Sequence, residues 1–261
     1  MKKMMIAAGA GVLALTSLST ADALALLNQE AQEKADAPPA EAEEAGDWYF
    51  AAAIGGNFLL DADVENGNGT YFKFDRGLGV NLGFGYAFNK TFSLELRSGL
   101  LWNGFNSIQN GRLTLNGNAL TFGGGEGNIY QVPVMASLVV SIPINDKLAI
   151  GLKGGVGMQW TKINAHDINA YAGGGQVGTV GWDHNSAAFR WDVGFQMANQ
   201  ITHNIRIGGG VIFSGTTAVN IGAATFTSGA GGAIPSFTGN SEQKLDRLFN
   251  FSLGFGVTIA F

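Results

Sequence analysis

Within stretches where apolar and polar residues alternate, oppositely charged residues stand two apart at Lys73/Asp75, Glu95/Arg97 and Arg190/Asp192. On an extended strand that spacing puts both side chains on one face, about 6.5–7 Å apart. The chemistry open to them is ion pairing in a low-dielectric interior, or a field that selects passing ions. Lys153 and Arg206 fall on the same face by count. The eight residues Lys73, Asp75, Glu95, Arg97, Lys153, Arg190, Asp192 and Arg206 are therefore expected to line an interior, with an excess of bases over acids. An unpaired buried charge is costly, so pairing within each i, i+2 couple is the expected resolution. Arg76, Lys162 and Arg247 fall on the opposite face, beside aromatic residues, where guanidinium and ammonium groups suit phosphate oxygens.

Other candidates carry less. Asp61, Asp63 and Glu65 are spaced like the start of a calcium loop, but Asn66 stands where such a loop needs glycine, and the flanks read as strands. His166/Asp167 and Asp183/His184 share one connecting segment and are expected to be solvated. No Ser–His–Asp set can be picked out, and the chain has no cysteine. No catalytic residues, metal centre or cofactor are expected. The basic residues are scattered, so no nucleic-acid surface is visible.

The elements that must position these side chains are strands. From Leu245 to Phe261, large apolar residues (Phe249, Phe251, Leu253, Phe255, Val257, Ile259, Phe261) alternate with small or polar ones. Successive strand side chains point to opposite faces, so this segment has one greasy face and one small polar face. The same period of two runs through Phe50–Phe58, Phe72–Phe88, Phe92–Trp102, Tyr130–Ile142, Leu148–Trp160, Phe189–Met197 and Ile205–Phe213. Helices cannot imitate it. Three connections are tight hairpin turns: Phe88–Thr91, Ile144–Lys147 and Ile201–Asn204. Four are long, near residues 60–70, 106–128, 163–187 and 216–245, and rich in Gly, Asn, Ser and Thr. Strict alternation of short and long connections is the pattern of an up-and-down barrel with all short turns at one end.

Volume decides which face points inward. A barrel of eight strands has room inside only for modest side chains. It could not hold the more than forty large apolar groups of the greasy face. The opposite face carries many of the 40 glycines and fits an interior. The expected fold is thus all-β: an eight-stranded antiparallel up-and-down transmembrane β-barrel. Its apolar face points into lipid, and closure satisfies the backbone there. Aromatic residues cluster near both strand ends, as girdles do at membrane interfaces.

The ends of the chain differ from this body. Lys2 and Lys3, the apolar run Met4–Leu18 and the small-x-small site Ala21–Ala23 read as a secretory signal peptide over 1–23. A second such site, Ala23–Ala25, follows it. Residues 24–46 hold six acids and one lysine and no aromatic residue, which reads as a flexible acidic segment. Residues 47–261 form the barrel, and their net charge is only −1.

The signal peptide, the eight alternating strands and the final RLFNFSLGFGVTIAF together resemble the small outer-membrane β-barrels of the OmpA transmembrane-domain and opacity-protein type. The resemblance implies a bacterial outer-membrane location with both termini periplasmic. It implies that Phe255, Val257, Ile259 and Phe261 form the signal read by the outer-membrane assembly machinery. It also implies outer-membrane lipid as surroundings. Arg76, Lys162 and Arg247, outward-facing beside the outer girdle, are then expected to contact lipopolysaccharide phosphates. Such barrels serve several ends. The expected role is structural or surface-interacting, through long outer loops that meet a host or environmental ligand. The alternative is a narrow porin-like channel for small solutes, and an enzyme at the barrel rim ranks last.

Overall fold

The structure is a computed structural model that describes residues 46–261 apart from 66, 68, 116–117, 230–233 and 240. The expected signal peptide and acidic segment lie outside the described residues.

Eight strands form the staves: β1 Asp47–Leu59, β2 Tyr71–Ala87, β3 Phe92–Leu115, β4 Glu126–Pro143, β5 Leu148–Ala172, β6 Gly175–Gln200, β7 Ile205–Thr216 and β8 Phe249–Ala260. Each pairs antiparallel with the next, and β8 pairs with β1 from Tyr49↔Ala260 to Leu59↔Asn250, which closes the ring. The protein is an eight-stranded up-and-down barrel with no open edge along these staves. Its outer wall exposes Ile54, Leu82, Leu96, Leu138, Val156, Val193 and Phe255, and Phe255 is 72% exposed. An exposed apolar belt of this extent suits lipid, where a closed ladder leaves no backbone group unpaired.

The short turns close at one end for a local reason. Asn89 Oδ1 accepts from the N–H of Thr91 and of Phe92, both at 2.8 Å. Asn145 Oδ1 does the same for Lys147 (3.0 Å) and Leu148 (2.9 Å). Thr202 Oγ1 accepts from Ile205 N–H at 3.1 Å. Side chains that mimic a backbone turn in this way fix each reversal without glycine.

The other end departs from the expected long loops. The segment 163–187 lies almost wholly within β5 and β6, which continue as one hairpin to a turn at Gly173 and Gly174, both with positive φ. In 106–128, β3 runs on to Leu115 and pairs with a short strand, Asn118–Gly124. Within 216–245 lie four more short strands, Val219–Gly222, Thr225–Ser228, Phe237–Thr238 and Gln243–Leu245. Ala62–Asp63 pairs with β2.

These extensions fold over a second, apolar interior. Phe72, Ile108, Leu120, Ile129, Ile163, Ile168, Val180, Trp182, Val219, Ile221, Phe226, Leu245 and Leu248 are all buried in one cluster. The Phe72 ring meets Phe105 and Trp182 edge-on, at centroid distances of 5.2 and 5.4 Å. A bulge keeps β5 apolar on the inside here. The β5–β6 register slips between Ala165 and Ile168, and Asp167 takes φ +55°. Asp tolerates that left-handed conformation better than most residues. The slip turns both Ala165 and Ile168 inward and leaves His166 and Asp167 outside.

Candidate functional site: the charged lumen and its apolar cap

The lumen is layered from the short-turn end upward. Arg206, one residue into β7, lies exposed at the mouth. Above it Tyr49 lays its ring against Gly85, 2.2 Å from where a Cβ would stand, so only glycine fits there. The Tyr49 hydroxyl points to Ser93 Oγ and Glu95 Oε2, each at 3.4 Å. Next come two buried ion pairs, Lys153 Nζ with Glu95 Oε1 and Arg97 Nη2 with Asp192 Oδ2. Arg190 follows, donating from Nη1 to Gln159 Oε1 and from Nη2 to Ser214 Oγ at 2.6 Å.

A belt of amides closes this polar section. Asn57 Nδ2 donates to Asn103 Oδ1 (2.6 Å) and to Asn250 Oδ1 (3.0 Å). Asn250 Nδ2 donates to Gln131 Oε1 at 3.0 Å, and Ser252 Oγ to Asn57 Oδ1 at 2.8 Å. Asn57, Asn103, Gln131 and Asn250 are completely buried. The network spans β1, β3, β4 and β8. A connected set of this kind holds a buried polar layer in one arrangement, since each broken link leaves an unpaired polar atom. The apolar cap lies directly beyond it.

The expected charge pairing is not what the barrel makes. Glu95 and Arg97 are neighbours on β3, yet each bonds across the lumen, to β5 and β6. Asp192 likewise pairs with Arg97 rather than with Arg190 on its own strand. Two sites fall outside the lumen. The β2–β3 register slips between Lys73 and Phe74 and again between Phe74 and Gly77. Side chains above this bulge change faces: Phe72 turns into the cap, while Lys73 and Asp75 become exposed on the outer wall. Asp75 Oδ1 accepts there from Asn106 Nδ2 at 2.9 Å. The bulge also frees the Asp75 carbonyl, and Asn103 Nδ2 donates to it at 3.0 Å. Gly77 is needed at this kink, because a Cβ would lie 1.7 Å from the Trp102 carbonyl oxygen.

The outward cations Arg76, Lys162 and Arg247 are all exposed. Lys162 stands in one cross-strand row with Trp102, Tyr130 and Asn185. A shallow groove beside it is lined by Tyr130, Val132, Trp160 and Ala187. Lys162 Nζ lies 3.9 Å from Asp183, and Arg247 Nε 3.8 Å from Asp246. Phe255 and Ile259 on β8, and Phe261 just after it, are exposed, and Val257 is half-buried. His166 Nδ1 and Asp167 Oδ2 are 2.8 Å apart at the surface. Asp61, Asp63 and Glu65 are exposed, and among the described residues no three His, Asp or Glu side chains converge to hold a metal ion.

Sequence reasoning missed the cap, and with it Trp182. The available signal was alternation inside the supposed loops, in Ile163–Ala165, Ile168–Ala170 and Val180–Trp182.

No family model matches the chain, and no curated protein matches it. Solved structures do. Neisserial surface protein A (NspA) is 12% identical, with 84% of this chain and 100% of that one covered and a TM-score of 0.43. The outer membrane protein OprG from Pseudomonas aeruginosa is 16% identical, over 83% and 97%, at 0.44. The outer membrane protease OmpT from Escherichia coli is 11% identical, over 85% and 99%, at 0.45. The chain is similar to small outer-membrane barrels, and at these scores no role passes from them to it.

Proposed function

We propose that this is a bacterial outer-membrane protein whose work is structural or surface-interacting and is done by its outer hairpins. The short turns and both chain ends then face the periplasm. The observation that carries this reading is the cap. The outer end of the barrel is filled by interlocked apolar side chains, with Phe72, Ile108, Trp182 and Phe226 at most 2% exposed. An ion leaving the charged lumen outward would have to cross that dry layer at the full cost of desolvation. The runner-up, a narrow channel, has no polar path at this end among the described residues. In planar bilayers the folded protein is expected to show no steady conductance. Reproducible ohmic openings in the purified wild type would overturn the reading.

Contact with lipopolysaccharide through Arg76, Lys162 and Arg247 belongs to the same proposal. Placed near an interface, a cation on the lipid face of a barrel costs only ~0–1 kcal/mol. Lys162 shares its level with Trp102 and Tyr130, whose aromatic rings suit that depth. Purified R76Q/K162Q/R247Q protein is expected to lose most of the lipopolysaccharide that wild type carries through extraction, measured as bound phosphate. Equal retention by the two proteins rejects the contact.

A further inference from the structure

We infer that the lumen holds one small monovalent anion of the halide class against Arg190. The charge count drives this. Among the described residues three cationic side chains are buried in the barrel, Arg97, Lys153 and Arg190, with two anionic ones, Glu95 and Asp192. Lys153 takes Glu95 and Arg97 takes Asp192. Every other described Asp and Glu is exposed, on the outer segments, in a turn or at the start of β1. Arg190 is therefore a guanidinium 3% exposed with no carboxylate of its own.

Its hydrogen bonds do not answer the charge. Gln159 and Ser214 are neutral partners. The charged groups that act on Arg190 are Asp192, already bonded to Arg97, and Arg97 itself, a second cation. A guanidinium cannot shed its proton to escape burial, as a lysine or carboxyl can. Leaving it uncompensated in a low-dielectric interior is costly. A mobile counter-ion is the remaining solution.

The donors for it are present. Arg190 Nε, Arg97 Nε and Gln131 Nε2 are buried and have no hydrogen-bond partner in the structure. They come from β6, β3 and β4, and a halide accepts several N–H groups at once. Two partnerless oxygens, Asp192 Oδ1 and Ser137 Oγ, lie together beside Gly155, 2.9 and 2.4 Å from where its Cβ would stand. The anion must keep away from that carboxylate oxygen, and the partnerless Nε of Arg190 is the donor assigned to it. The cap bars exchange from outside, so the ion enters from the short-turn mouth, past Arg206.

Bromide is the probe. Crystals of the full-length folded barrel grown in sodium bromide are expected to show an anomalous peak within hydrogen-bond distance of Arg190 Nε. Thermal unfolding in detergent should rise saturably, by about 2–4 °C, when bromide or chloride replaces gluconate at equal ionic strength. That rise should vanish in R190Q, which keeps an amide donor and loses the charge. The inference is overturned if wild-type crystals show no anomalous signal in the lumen. It is overturned equally if R190Q keeps the full halide response. The wild-type crystal result decides the matter should R190Q fail to fold, and neither measurement depends on whether the barrel conducts.

Discussion

Asp192→Asn is expected to destabilise the barrel by about 3–5 kcal/mol, the cost of removing one partner from a buried ion pair. Asp192 is 2% exposed and is the only carboxylate bonded to Arg97 among the described residues. The same carboxylate is the nearest negative charge to Arg190 in sequence, on the same face of the same strand. Its loss leaves Arg97 without a carboxylate partner and removes the one acid that offsets the repulsion of Arg97 on Arg190. The wild-type pair need not be worth that much in itself, since desolvation offsets most of the attraction. The double variant R97M/D192N separates these effects. It removes the stranded charge along with its partner and is expected to recover most of the loss. With R97M as the second single variant, urea unfolding of the barrel in detergent or lipid, followed by electrophoretic mobility of the folded form, gives the four free energies of a double-mutant cycle. If D192N alone unfolds within about 1 kcal/mol of wild type, the lumen is well hydrated and the low-dielectric account of the layered interior is wrong.

That interior was only half legible in the sequence, for reasons that particular residues make clear. Leu94, Leu96, Val156 and Leu253 declare their face through a period of two, because alternation is local and a strand has no other way to arrange side chains. The inward set Glu95, Arg97, Arg190 and Asp192 follows by the same rule. Who pairs with whom is not local. Arg97 meets Asp192 only because closure and strand stagger bring β3 and β6 to one level, and no spacing along the chain encodes that. Lys73 and Asp75 went to the wrong face for another reason. The irregular pairing between Lys73 and Gly77 switches the faces of the β2 residues beyond it, which no local alternation announces. The cap was hidden by composition. Its apolar residues are dispersed among Gly, Asn, Ser and Thr that ordinarily mark loops. In lipid-facing strands alternation is dense enough to read; in the hairpins above them it is carried by pairs such as Val180 and Trp182.

Trp182→Ala is the substitution expected to act most strongly on function. Trp182 is 2% exposed, meets Phe72 edge-on and belongs to the apolar cluster at the end of the barrel opposite the short turns. Emptying a buried tryptophan site costs about 3–5 kcal/mol. The loss should fall mainly on the cap, because the amide belt of Asn57, Asn103, Gln131 and Asn250 divides it from the charged lumen below. Sub-global opening of a unit with its own core can proceed while the rest stays folded. About 3 kcal/mol raises the opened population roughly a hundredfold, and cleavage of the β5–β6 hairpin by added protease should accelerate in proportion. The folded-barrel band should persist, and a leak conductance should appear that wild type lacks. Trp182→Phe supplies the control. Trp182 Nε1 is buried without a hydrogen-bond partner, so phenylalanine removes an unsatisfied donor while keeping most of the ring. It is expected to be near neutral and to stay closed. Should alanine leave both the hairpin and the seal intact, the cap is not the barrier, and the closure of this barrel must be sought in the ion pairs beneath it.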